Sequence, residues 1–202
     1  MGVTGLYPAI KRRYGKYNIL RANYSGKVSS LAIDMNAVIH PTLQKVHSYG
    51  DGKDESRSIE IKKLTKQQLL EQFFATFLND LLTMIVSANP RDMLILAVDG
   101  VPPEAKIAQQ RQRRFVSGTT VDMDTTFDSN AVSPGTEFMI LLDERINKWI
   151  QQNTNAVNSR FPPRVIYSGH LVPGEGEHKI LDIYRNQENL ILNGCGKCLI
   201  FC

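Results

Sequence analysis

Acidic residues are missing from the first 33 positions of this 202-residue chain, while Lys11, Arg12, Arg13, Lys16, Arg21 and Lys27 stand there unbalanced. An anionic partner is therefore not repelled from this end, and the run reads either as a phosphate-contacting patch or as a solvated basic surface. Cysteine is scarce: three residues, an odd number, exclude a disulfide framework. Cys195-Gly196-Lys197-Cys198 is a lone C-x-x-C, with no second Cys or His pair in register, and predicts neither zinc nor redox chemistry. Cys198 and Cys202 are expected to pack in a strand instead. His170 and His178 lack the spacing of a helical zinc pair and read as ordinary polar residues. Also lacking are a secretory leader, an apolar run of bilayer length and internal repeats. Leu6 stands where a myristoylation signal needs Ser or Thr. The expectation is an intracellular protein, cytoplasmic or nuclear, with no membrane partner.

What is present fits a globular domain. Hydrophobic residues make up 42% and charged residues 22%, enough apolar surface for a core. The net charge of +4 and pI of about 9.0 favour an acidic partner such as nucleic acid. Leu6 to Tyr14 has the pattern of a short basic helix. VSSLAID at 28–34 reads as a buried strand ending in Asp34, with Asn36 and His40 at the start of the next helix. Residues 48–66 are polar and predict a loop. Gln67 to Val86 predicts a long helix packing on Leu70, Phe73, Phe74, Phe77, Leu78, Leu81 and Leu82. Met93 to Val98 is a second buried strand, ended by Asp99-Gly100. Residues 117–134 predict another loop, and Gly135 to Asn153 a helix with Phe138, Leu141, Leu142, Ile146 and Trp149 inward. Arg164 to Ser168 is a third strand; after Pro173 comes a helix carrying Ile180, Leu181, Ile183 and Tyr184; Cys198 to Cys202 is a fourth strand. Such alternation predicts an α/β fold, a parallel sheet with helices on both faces.

In that class ligands bind beyond the carboxyl ends of the strands. Asp34, Asp99 and the Glu175/Glu177 pair all fall there. Four carboxylates on one crevice would repel, and oxygen ligands of that kind suit Mg²⁺ or Mn²⁺. Simpler roles stay open: Asp34 as a helix cap, Glu175 and Glu177 as complements to a helix dipole. The segment after Pro102-Pro103 predicts a helix in which Lys106, Gln110, Arg113 and Arg114 occupy i, i+4, i+7 and i+8. A stripe of that spacing is usually core, but cations and an amide exclude burial. It reads either as an anion clamp beside the carboxylates or as a solvated basic face. Metal plus clamp is what metal-dependent phosphodiester hydrolysis needs.

MGVTGLYPAI, AIDMNAVIH, DGVPPEAKIAQQRQRRF, GTEFM and VPGEGEHKI resemble, in order and spacing, the amino-terminal signatures of the Xrn/Rat 5′→3′ exoribonucleases. The resemblance covers most of the chain and is weakest at 49–66 and 118–133. It implies a PIN/flap-nuclease-like, Rossmann-like fold and Mg²⁺- or Mn²⁺-dependent hydrolysis of single-stranded RNA from a 5′-monophosphate end, releasing mononucleotides. By motif position it implies that Asp34, Asp99, Glu175 and Glu177 are catalytic, metal-holding carboxylates. Lys106, Gln110, Arg113 and Arg114 would hold the 5′-phosphate, with His40 and Asn36 against the first nucleotides. In that family the strand resembling KCLIFC leads into a D-x-D pair and a later Asp that complete the metal site. The expectation is therefore that residues 1–202 form the amino-terminal portion of a catalytic domain, its sheet incomplete at the C-terminus. A non-catalytic RNA 5′-end-binding protein is the alternative reading. A small-molecule phosphohydrolase with D-x-D after its first strand ranks last, because Asp34-Met35-Asn36 lacks the second carboxylate.

Overall fold

The computed structural model describes residues 12–13, 28–119, 127–156, 159–186 and 198–201. Four strands, β1 (Ser30–Asp34), β2 (Met93–Ala97), β3 (Arg164–Ser168) and β4 (Cys198–Phe201), form one sheet in the order β3-β2-β1-β4. All three pairings are parallel. The crossovers carry α1 (Asn36–His47), α2 (Glu55–Ile61) and α3 (Lys66–Ala88), then α4 (Glu104–Thr119) and α5 (Glu137–Thr154), then α6 (Gly176–Asn186). The expected α/β architecture, helices on both faces included, is the one observed.

Alternation along the strands divides the core. Leu31, Ile33, Leu94 and Leu96 face α1, α3 and α5, among Ile39, Leu43, Phe73, Phe77, Leu142 and Ile146. Ala32, Met93, Ile95 and Ala97 face α6, against Ile180. At about 1.5–3 kcal/mol for a fully buried large side chain, the first cluster carries most of the fold's apolar stabilisation. Phe73 is its centre, 5.4 Å from the Phe77 ring and 5.5 Å from the Phe138 ring.

Helix starts follow local chemistry. Thr65 and Gln68 make a reciprocal capping box at α3, and the Thr136 hydroxyl accepts from Met139 N–H at α5. The inward stripe of α3 is Leu69, Phe73, Phe74, Phe77, Leu81 and Ile85, with Leu70, Leu78 and Leu82 only half-buried at its edge. By length and composition α3 is apolar enough to cross a membrane. That differs from the expectation, because Glu71 and Asp80 interrupt the run in sequence; here its stripe is buried in the core. Met139 replaces Phe138 and Leu141 among the buried residues of α5, and Leu181 of α6 is exposed.

Three expectations are corrected. Residues 48–66 are not a loop throughout: they contain α2 and a 3₁₀ turn at Gly50–Gly52. Asp54 caps α2 by accepting from Ser56 and Arg57 N–H, and Ile61 alone of its residues is buried, so no apolar period announces it. Residues 117–134 begin inside α4, which runs to Thr119, and include a 3₁₀ turn at Ser129–Ala131 capped by Asp128. Cys198 lies in β4 as expected but on an edge strand, where its side chain is exposed. Arg12 and Arg13 are helical and exposed; the rest of the basic amino-terminal run, Cys195 and Cys202 lie outside the described residues.

Candidate active site

Counting in twos from the core places the first two carboxylates. Asp34 follows Ala32 on the α6 face of β1, and Asp99 follows Ala97 just past β2. Asp34 and Ala97 are register partners, so both acids leave the sheet at one edge. Asp34 accepts from Asn36 N–H at 3.1 Å, while the helix N-cap itself is Met35. The Asn36 side-chain oxygen in turn accepts from Asp99 N–H at 3.2 Å.

The third strand end is tied to this edge by backbone. Gly100 N–H donates to Gly174 O at 2.8 Å, and Gly174 N–H to Val101 O at 2.9 Å. Gly176 N–H donates to Asp99 Oδ1 at 2.7 Å. A Cβ on Gly176 would come within 2.5 Å of Asp34 Oδ1, so glycine between the two glutamates lets α6 start against the aspartates. Burial pushes the Asp34 carboxyl up to about 6; Asp99 and then Glu177 add to the rise, and only the Asn36 N–H works strongly against it. Glu175, Glu177 and His178 hold ligand atoms within 4.8 Å of one another. The edge is thus a crevice where several carboxylates crowd together. Those carboxylate oxygens, with one imidazole beside them, fit a hard divalent cation, and Asp34 and Asp99 leave the sheet at the same edge.

Lys106 and Gln110 of α4 reach the same place. Lys106 forms an ion pair with the buried Glu175, so a residue expected on phosphate holds one expected on metal. Gln110 joins Asp99, Asn36 and His40 in lining one cavity of about 320 Å³. Arg113 and Arg114 continue α4, and their side chains lie outside the described residues.

Sequence reasoning missed the support behind the crevice. Lys179 is 5% exposed and donates to Val98 O at 2.7 Å and Gly169 O at 2.8 Å, clamping the ends of β2 and β3. Burial pushes its ammonium pKa down, against the pull of Asp99, Asp143 and Asp34. On α5, Asp143 accepts from the Tyr167 hydroxyl and lies 2.8 Å from His170 Nδ1. The signal was present at Lys179: with Gly176, Ile180 and Ile183 it occupies the inward stripe of α6, where a lysine is out of place. Nothing local marks Asp143, because its partners come from β3.

Known proteins carry a similar sequence over most of this chain. The 5′-3′ exoribonuclease 2 of Candida albicans is 28% identical over 94% of this chain and 22% of its own length. The 5′-3′ exoribonuclease 1 of Homo sapiens is 31% identical over 93% of this chain and 11% of its own length. The 5′-3′ exoribonuclease 2 of Kluyveromyces lactis is 34% identical over 93% and 22%. The chain thus spans less than a quarter of the length of each of these relatives. The family model of the XRN 5′-3′ exonuclease N-terminus matches residues 1–194, and the chain belongs to that family.

Proposed function

We propose that residues 1–202 are the amino-terminal portion of a 5′→3′ exoribonuclease catalytic domain. Its substrate is single-stranded RNA with a 5′-monophosphate, and its products are mononucleotides. The observation that carries this reading is the meeting of three strand ends on Gly176, which joins Asp34, Asp99 and Glu177 beside the cavity that Gln110 lines. Mg²⁺ or Mn²⁺ bound at those carboxylates supplies charge neutralisation and an activated water. The chain's own groups do the positioning. Asp34, Asp99, Glu175 and Glu177 present oxygens along one edge. Lys106, Gln110, Arg113 and Arg114 take the terminal phosphate, whose charge of about −1.5 to −2 suits charge-assisted contacts. His40 and Asn36, in the first turns of α1, line the same cavity and contact the first nucleotides. Lys179 keeps the loops after β2 and β3 in register, so the carboxylates meet the scissile phosphate at one fixed spacing.

Calorimetric titration with Mn²⁺ tests the metal half. The wild-type chain binds the ion, and Asp99→Ala, which removes a ligand and the acceptor for Gly176 N–H, weakens binding at least tenfold. Equal binding by both proteins overturns the reading.

A further inference from the structure

The far wall of the cavity has no role in that scheme. It is the 3₁₀ turn Ser129–Ala131, which brings Ser129 and Asn130 to the same 320 Å³ space as Asp99, Gln110 and His40. The turn is rigid by its own bonds. Asn130 N–H donates to Asp128 Oδ1 at 2.8 Å, and its carbonyl accepts from Ser133 Oγ at 2.6 Å. The Thr136 hydroxyl, which caps α5, donates back to Ser133 O at 2.9 Å. All the bonds recorded at Asn130 use its backbone, and the side-chain amide takes part in none of them. A half-buried amide on a fixed turn, lining a polar cavity, is placed for a ligand.

The chemistry of that ligand follows from what flanks it, and it rests on the reading above. A terminal nucleotide carries phosphate on both sides of its sugar. Gln110 and Asp99 line this one cavity, and on that reading they meet the 5′-phosphate and the scissile phosphate. The group between them is the ribose. Of the cavity's three amides, Gln110 is committed to phosphate, and the Asn36 oxygen is occupied by Asp99 N–H. Asn130 keeps both a donor and an acceptor. A 2′-hydroxyl offers one of each and is what separates RNA from DNA. We infer that Asn130, assisted by Ser129, holds the 2′-hydroxyl of the first nucleotide and makes the site selective for ribose.

The experiment is fluorescence anisotropy in Ca²⁺ at one salt concentration. Three oligonucleotides are compared: 5′-phosphorylated RNA, the same RNA with a single 2′-deoxy sugar at its first nucleotide, and the 5′-hydroxyl RNA. Wild type binds the all-ribose strand about two- to tenfold tighter than the 2′-deoxy strand, the range of one net hydrogen bond. Asn130→Ala binds both at the weaker level and still prefers 5′-phosphate to 5′-hydroxyl, which shows that the variant is folded. Discrimination that survives in Asn130→Ala, or its absence from wild type, overturns the inference while the exonuclease reading stands. Loss of the 5′-phosphate preference in wild type overturns both.

Discussion

Asp34 is a carboxyl that the fold holds closer to its neutral form than water does. Its pKa rises from 3.8 to about 6 through burial, Asp99 and Glu177. A raised folded pKa contributes stability that is complete below pH 4 and is lost as pH climbs through 6. His47 does the opposite. Buried in the last turn of α1, with its ring 4.9 Å from that of Phe127, it is pushed down from 6.5 to about 4 by burial and then by Arg57. Its contribution is complete above pH 6.5 and is lost as pH falls through 4. Each effect is worth up to about 3 kcal/mol, and in the window from pH 4 to 6.5 they oppose one another. Urea unfolding of the wild-type chain across that window therefore changes little on their account. Asp34→Asn unmasks His47, and stability rises with pH; His47→Leu unmasks Asp34, and stability falls with pH. Parallel profiles for the two variants would refute both assignments. A gain in stability at pH 7.5 on losing Asp34 is also the mark of a residue kept for chemistry rather than packing.

Helix α4 meets the residue just before α6 at the ion pair between Lys106 and Glu175. While Glu175 holds Lys106, the proposed phosphate clamp lacks one of its cations. Glu175→Gln frees that ammonium and removes a repelling carboxylate. Without divalent ions, 5′-phosphorylated RNA should bind the variant three- to tenfold tighter, as a partly solvent-screened pair allows. Unchanged affinity in anisotropy titrations would mean that the pair does not compete with phosphate. How much of this was legible depends on the element. The helix carrying Lys106 and Gln110 was readable from the sequence, and its polar spacing, which a core stripe would not tolerate, matches their position at the crevice. The pairing of Lys106 with Glu175 was not, since 69 residues separate them and either charge has its own solvated reading. α2 was hidden because seven residues with one buried side chain carry no period. The turn at Ser129–Ala131 was hidden because its capping Asp128 sits inside a polar stretch that reads as loop. Strands β1 and β2 stood out as apolar runs because both of their faces are covered.

Across the whole molecule, the parallel order β3-β2-β1-β4 brings Asp34, Asp99 and the Glu175–Glu177 turn to one edge. Alternation of strand and helix was enough to predict that edge, and parity along β1 and β2 then put Asp34 and Asp99 on the α6 face. What alternation cannot supply is the long-range bracing by Lys179, Asp143 and Tyr167, which arises only when α5 and α6 pack against the ends of β2 and β3. The central claim is that this edge recognises the phosphorylated end of an RNA strand, not its backbone alone. Anisotropy with 5′-phosphate and 5′-hydroxyl RNA in Ca²⁺, for wild type, Arg113→Ala and Arg12→Ala, tests it directly. Each charge-assisted contact is worth about 1.5–3 kcal/mol. Wild type should therefore prefer the 5′-phosphate, and Arg113→Ala should cut that preference about tenfold or more. Arg12→Ala, at an exposed residue of the basic amino-terminal sequence, should weaken both strands alike. Equal loss of affinity for both ends in Arg113→Ala would contradict the claim and leave α4 a nonspecific basic surface.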